Sequence, residues 1–566
     1  MLRSHPNHFV NYIAQAMPVP GRGAALQPAL TAGPQAVARL SVTIRDASLG
    51  EPTPVRVRIT DEDGNPLGLG AAANMPVPAE TQLAVPGTVI GLPAQAIAVM
   101  HGQNDLAQGY AFQRNGAFYV NGSFDLPMPA GTFLLTLTKG YEYIVERELL
   151  SFGPGDHLTR DYRLRRWIDM PAQGWFSADD HIHLRRSPRE NPLIRDWIAA
   201  EDIHVGVLLQ MGDFRATYFS QYAFGSRGRY GDGHHVLSSG QEEPRTDVIG
   251  HTISFGAEQF VRFRDDYYSY DRVFDRVHQL GGVSGYAHQA MSFHGYRGMT
   301  LDVLTGKIDF LELAQFCVPE GPLALEHYYR LLDLGFKVTA LAGSDFPWCG
   351  RGRRPGEERV GPQIGDARFY TYTGRPFSFE RWLAAVKAGH TFVTTGPMLE
   401  LEVDGQKPGS SLDVKPGTRL RIVVKAHGHA GDVPLQRLQL IGHGEVLAEA
   451  KPGDSGQSPA QLSIEHELTA AHGIWLAARA DAGLSQVAHT TPVYVTVDGD
   501  GFHNRSKLGD QIERARSHLQ EIRELLEPAT SEFSRVPGPL SYSGTRERLE
   551  QRIVEAERKL EQLRRR

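Results

Sequence analysis

From Arg39 to about Arg166 the apolar positions recur with period two. In "VRVRITDEDGNPL", Val55, Val57 and Ile59 alternate with polar residues, and Asp63-Gly64 then marks a hairpin turn. "GAFYVNGSFDLPMPAGTFLLTLTKGYEY" repeats the pattern, with Pro-Ala-Gly between strands. Short strands separated by such turns predict a β-sandwich over 38–166. Near Gly174 the texture becomes strands alternating with helices. "HVGVLLQ" (204–210), "GVSGYAH" (282–288), "IDFLELAQF" (308–316) and "KVTALAGSD" (337–345) read as strands. "YDRVFDRVHQLG" and "PLALEHYYRLLDLG" read as helices closed by C-terminal glycines. "SFERWLAAVKAG" is a further helix leading into "HTFVTTGP". That order predicts an α/β region over 167–399 with a parallel layer or barrel. Alternation returns in "TRLRIVVKA", "IWLAARAD" and "PVYVTV", a second β-sandwich over 400–500.

The end of the chain, 501–566, changes again. Leu508, Ile512, Ala515, Leu519, Ile522 and Leu526 step by four and three, as do Leu549, Ile553, Ala556, Leu560 and Leu563. Two helices with narrow apolar seams are expected, separated by Pro528 to Gly544. They would form a hairpin, dock on the body, or join subunits into a homo-oligomer.

Composition narrows the class. A chain of 566 residues exceeds one core and predicts about three or four domains. Hydrophobic content of 41% and charged content of 22% are those of a soluble globular protein. A formal net charge of −6 offers no concentrated basic surface for nucleic acid. No run of about 18 apolar residues exists, so no membrane-spanning helix is expected. Residues 1–37 have no continuous apolar stretch of signal-peptide length and read as a flexible leader. The compartment stays open, with the cytoplasm favoured. Cys317 and Cys349 are too few for a disulfide framework or a four-cysteine zinc module, and two free thiols are expected.

Candidate chemistry begins at "GWFSADDHIHLRRS" (174–187), where His181 and His183 stand one residue apart. With 23 histidines in the chain, roughly one His-x-His pair arises by chance. A second pair, His427 and His429 in "KAHGHAG", has the same spacing. Context separates the two. In parallel β/α architectures reactive groups collect at the C-terminal ends of strands. Asp179, His181 and His183 end one predicted strand, His288 another and Asp345 a third. Glu242 in "SSGQEE" precedes the strand bearing His251, and Glu312 lies within "FLELAQF". Such a set predicts a divalent metal bound by imidazole nitrogen and carboxylate oxygen, with one position left for water. The metal would lower the pKa of that water, and a strand-end aspartate, Asp345 or Asp179, would accept its proton. His427 and His429 run into Gly-rich sequence without converging strand ends, which predicts a solvated loop.

At these residues the chain resembles the polymerase and histidinol phosphatase (PHP) domain superfamily. "GWFSADDHIH", "SSGQEE", "GYAHQ", "LELAQF" and "ALAGSDFP" occur in the family's order. "DFPWCG", "ARFYTY" and "WLAAVKAGHTFVTTGPML" resemble the CehA/McbA-type metallohydrolases, over about residues 140–405. The resemblance implies a distorted β/α barrel holding a divalent metal centre. It places His181, His183, Glu242, His251, His288 and Asp345 on ligand positions. It also points to Glu312, Tyr370 and Thr395 as substrate-facing residues. Two positions depart from the pattern, Gln210 and Pro347 standing where histidine ligands are common. They imply one or two ions rather than three, with zinc first and manganese or iron next. The segment 348–372 reads as a substrate loop or an insert. A hydrolase acting on a small ester, carbamate or amide is expected. The alternatives are a phosphoesterase and a non-catalytic protein with a structural metal and sandwiches that bind carbohydrate or a partner.

Overall fold

The computed structural model describes residues 37–65, 67, 117–212, 217–246, 249–288, 295–315, 322–346, 363–453, 459–483, 485–526 and 542–565. The leader, both cysteines, Pro347 and most of 348–372 lie outside them. The fold is mixed α/β, with many strands in large sheets and eight α-helices among the described residues.

The N-terminal alternation folds into two facing sheets. One joins Ser123–Met128, Ala38–Asp46 and His157–Leu164. The other joins Phe118–Asn121, Pro54–Thr60, Gly131–Thr138 and Glu146–Phe152. Every second residue of Ala38–Asp46 is buried, and Leu40, Val42 and Ile44 meet Val55, Val57 and Ile59 in one core. Period-two apolar residues on both sheets leave one dry layer between them.

The central sheet is not parallel throughout. Its strands run in the order Thr339–Ala342, Phe310–Ala314, Val283–Tyr286, Gly250–Phe255, Val236–Thr246, Val205–Gly212, Trp175–Ile182, Arg368–Tyr372 and Thr391–Thr394. The 236–246, 205–212 and 175–182 strands are mutually parallel, as are 283–286, 310–314 and 339–342. The 250–255 strand is antiparallel to both neighbours; only three residues separate it from 236–246, too few for the crossover that a parallel pair needs. Every residue of the 175–182 and 205–212 strands is buried, as expected where both faces of a sheet are covered. Beyond Ala342 the chain swings back to the 175–182 strand. His183 N–H donates to Phe346 O (2.8 Å), and Ile182 bridges Phe346 in parallel. This return brings the 345 segment against the histidine pair.

The helices predicted at 270–281, 322–335 and 378–389 form over Tyr270–Gln279, Glu326–Asp333 and Phe379–Lys387. Ser378 caps the last, its side chain accepting from Arg381 N–H. The second sandwich shares a sheet with the central region. Thr391–Thr394 pairs with Arg368–Tyr372 on one edge and with Val487–Thr490 on the other, so hydrogen bonding is continuous from one to the next.

The two C-terminal helices, Leu508–Leu525 and Tyr542–Arg564, dock on the body. Ile512, Ala515, Leu519, Ile522, Leu549, Ile553, Ala556 and Leu560 join the same core as Met299, Leu301 and Val303 of the Gly295–Leu304 helix. Arg552 pairs with Asp302, and Arg548 with Asp271 (2.5 Å). Of the three arrangements the sequence left open, the seams take docking on the body, where the chain's own helices cover them. No helix among the described residues is long and apolar enough to cross a membrane.

Candidate metal centre

His181 and His183 alternate along the end of the 175–182 strand and so project from the same side of the chain. Their Nε2 atoms lie 3.2 Å apart. Asp345 Oδ1 lies 3.2 Å from each of them. Metal bonds of about 2.0–2.1 Å at tetrahedral angles put ligand atoms about 3.3–3.4 Å apart, so this triangle has the size of a metal's coordination face. The three residues are buried and could hold a metal ion, as could His181, Glu242 and His288. Both groups use His181, so they describe one composite cradle rather than two separate ones.

Glu242 joins the halves of that cradle. Its Oε2 is 3.4 Å from His183 Nε2, while Oε1 is 2.9 Å from His251 Nδ1 and 3.7 Å from His288 Nε2. A register shift between Glu242 and Arg245 breaks the 236–246 ladder there. Such bulges re-aim side chains at functional sites. Arg245 thereby reaches the cluster, with Nε 3.6 Å from Glu242 Oε1 and Nη2 3.3 Å from His251 Nδ1. His288 and Asp345 carry left-handed backbone, φ 27° and 53°, which for non-glycine residues costs of order 1–3 kcal/mol each.

Glu312 is not placed as a substrate contact. It is 1% exposed, with Oε1 3.0 Å from His181 Nδ1 and Oε2 accepting His288 N–H (2.6 Å). It orients two prospective ligands from behind, the usual service of a carboxylate to a metal-binding histidine. Asp179 is likewise a brace. Oδ1 accepts the amides of His181 and Ser344 (3.0 Å each), and Oδ2 accepts that of Gly365 (2.8 Å). Burial raises its pKa to about 6 against those hydrogen bonds. Holding three amides, it ties the 175–182 strand to the 345 segment.

Tyr370 and Thr395 are engaged elsewhere. Tyr370 pairs in register with Ser177, four residues before His181 and so about 13 Å along the strand. Its ring stacks on Phe392 and its hydroxyl donates to Glu142 (2.9 Å). Thr395 donates to Ser485 O (2.8 Å), joining the central sheet to the second sandwich. Both side chains are tied into the joints between regions. Gln210 Oε1 accepts Gln221 N–H (3.1 Å) and belongs to neither metal-capable group.

The electrostatics ask for a cation. Burial opposes the imidazolium of His181, yet Asp345, Glu312 and Glu242 together hold its pKa well above the ordinary value. A divalent ion in the cradle would replace that proton. Burial and adjacent Arg245 push His251 down to about 3, and burial lowers His183, leaving neutral imidazoles with lone pairs to offer. Against burial, Arg245 and His251 hold Glu242 well below the usual carboxylate range, and His181 and His183 lower Asp345. Asp180 adds two buried carboxylate oxygens with no hydrogen-bond partner.

Sequence reading did not single out Asp180, Arg245 or Gly343. A Cβ at Gly343 would stand 2.3 Å from His181 Cβ, 2.7 Å from Asp180 Oδ1 and 2.8 Å from Glu312 Oε1. Only glycine lets the 339–342 strand exit so close to the histidines. The glycine two residues before Asp345 was the available signal.

The second histidine pair is built differently. His427 ends the Thr418–His427 strand, with Nε2 2.6 Å from Glu400 Oε1. His429 sits in the following turn, with Nδ1 3.3 Å from Asp432 Oδ2 and its ring stacked on Trp167. Each has its own carboxylate, and both are half-buried rather than in a solvated loop. Neither belongs to a metal-capable group among the described residues. Compared with known proteins, the chain matches no family model and no curated protein.

Proposed function

We propose that the chain is a metal-dependent hydrolase of an ester, carbamate or amide, in which His181, His183 and Asp345 would hold a divalent ion and that ion would supply Lewis acidity toward water. The supporting observation is the triangle of ligand atoms, all three separations being 3.2 Å. On this reading the central sheet closes as a distorted β/α barrel of the PHP type, resembling CehA/McbA-type enzymes. The return of 345 to the 175–182 strand is the contact that supports closure.

The donor set suits zinc, which takes imidazole nitrogen and carboxylate oxygen, with manganese or iron as the other occupants. The ion's contribution when bound is Lewis acidity and a lowered pKa for attacking water. The chain's residues supply the rest. Glu312 fixes the ring of His181 and the backbone amide of His288, and Asp179 locks the two ligand-bearing segments together. Asp345, facing both imidazoles, is the strand-end carboxylate to which proton transfer is assigned. Arg245 places a permanent positive charge beside Glu242, where developing negative charge on a substrate would be stabilised. Glu242, His251 and His288 offer donors for a second ion, which gives a count of one or two.

The test is elemental analysis of purified protein beside chromogenic aryl esters, carbamates and phosphates. Turnover of esters or carbamates that is lost on chelation and restored by metal is expected. Turnover of phosphates alone would make the protein a phosphoesterase. Bound metal with no turnover would leave a binding protein.

A further inference from the structure

One side chain of the C-terminal helices is joined to the metal cradle through a buried relay. Arg552, on the Tyr542–Arg564 helix, is buried and pairs with Oδ1 of Asp302, buried in turn on the Gly295–Leu304 helix. Its Nη1 also stands 3.5 Å from Asp271 Oδ1. The second oxygen of Asp302, Oδ2, accepts the hydroxyl of Tyr286 (2.6 Å). Tyr286 is fully buried and ends the Val283–Tyr286 strand, two residues before His288. It pairs in register with Thr252, and Ala287 N–H donates to His251 O (3.1 Å). Tyr286 therefore stands beside both segments that carry His251 and His288.

Two glycines show how closely this support is fitted. A Cβ at Gly298 would lie 2.1 Å from Tyr286 Oη. One at Gly250 would lie 2.5 Å from Gly295 Cα and 3.2 Å from the Tyr286 ring. The 295–304 helix thus rests backbone to backbone on the residue before His251. Tyr270 Oη fixes the same residue by donating to Gly250 O (2.8 Å). Burial raises the pKa of Asp302, while Arg552 and the Tyr286 hydroxyl oppose the shift. Removing Arg552 would leave the carboxylate to that hydroxyl alone, and an uncompensated buried charge must hydrate, take a proton or move. Each of these changes its hold on Tyr286.

We propose that Arg552 is a positioning residue for the metal cradle, acting through Asp302 and Tyr286 to hold the segments that bear His251 and His288. The proposal rests on the metal-dependent reading of the site. It makes the C-terminal helix part of the cradle's support, although none of its side chains reaches the ligands.

The test compares the full-length parent with Arg552→Gln and Tyr286→Phe, and takes Arg548→Gln as control. Arg548 lies one turn earlier on the same helix and pairs with Asp271 (2.5 Å), so its loss loosens docking without touching Asp302. Amide hydrogen exchange of the metal-free chain is read first. Over 250–255 and 283–288 both relay variants should exchange about tenfold faster, the size of one lost hydrogen bond to a charged group, while 175–182 stays as in the parent. Zinc affinity, read by competition with a chromogenic chelator, should then fall about tenfold in both and remain at the parent's value in Arg548→Gln. Tyr286→Phe removes one oxygen and no charge, so it carries the test even if Arg552→Gln does not fold. Parent-like exchange or parent-like zinc affinity in Tyr286→Phe would overturn the proposal. So would an Arg548→Gln variant that loses as much zinc affinity as Arg552→Gln. A parent that takes up no zinc would overturn the metal-dependent reading, and this proposal with it.

Discussion

Two His-x-His pairs of identical spacing fold into opposite circumstances. His181 and His183 turn their Nε2 atoms toward each other and toward Asp345. His427 and His429 diverge, each to a separate carboxylate. Local sequence does not make the difference, since both pairs end strands. It comes from what other strands deliver to the same place. The first pair meets Asp345, Glu242, His288 and Glu312 from four distant segments, while the second meets Glu400 and Asp432 one at a time. A metal site is a property of convergence, and spacing alone is silent about it.

The largest expected effect falls on that convergence. Gly343→Ala forces a Cβ into His181, Asp180 and Glu312, and should cost about 3 kcal/mol of stability together with metal retention. Gly431→Ala beside the second pair meets only ordinary contacts with His429, at 3.6 and 3.7 Å, and should stay within about 0.5 kcal/mol of the parent. Denaturant unfolding of both variants checks the contrast, and equal losses would break it.

The carboxylates behind the pairs sharpen it further. Glu312→Gln removes the acceptor that orients two ligands and should lower metal affinity about 10–100-fold. Glu400→Gln leaves affinity unchanged and costs at most about 1 kcal/mol, because both partners of the pair are partly exposed to water's screening. Competition with a chromogenic chelator measures both.

A third kind of histidine is the control for burial without metal. His489 is fully buried, with Nε2 2.7 Å from Tyr329 Oη and Nδ1 2.7 Å from Thr490 O, and burial pushes it down to about 3. Its unfolded value is near 6.5, so the unfolded chain takes up the proton first. The stabilising contribution is complete above that value and is lost as pH falls toward 3. At pH 5 the loss is about 2 kcal/mol, and His489→Gln should reduce the stability difference between pH 7 and pH 5 by that amount. An unchanged difference would mean that this imidazole is not held neutral.

What could be read from sequence follows the same division. The alternation in "VRVRITDEDGNPL" and the seams of the tail declared sheets and helices, because one side of each element is buried and the other wet. The Gly295–Leu304 helix escaped, since eight of its ten residues are buried and no amphipathic period remains. The ligand candidates were legible as residue types at strand ends. The roles of Glu312, Asp179, Tyr370 and Thr395 were not, because they depend on partners that sequence does not name: two histidines, three amides, Glu142 and Ser485. The tail's destination was equally hidden, since a four-three seam fits a neighbour's helix as well as the chain's own.

The most direct measurement is metal per chain after exhaustive dialysis, read by elemental analysis on two folded variants. His181→Ala/His183→Ala removes two corners of the 3.2 Å triangle and should leave the protein essentially without metal. His427→Ala/His429→Ala should keep the parent's stoichiometry. Metal retained by the first variant and lost from the second would contradict the account.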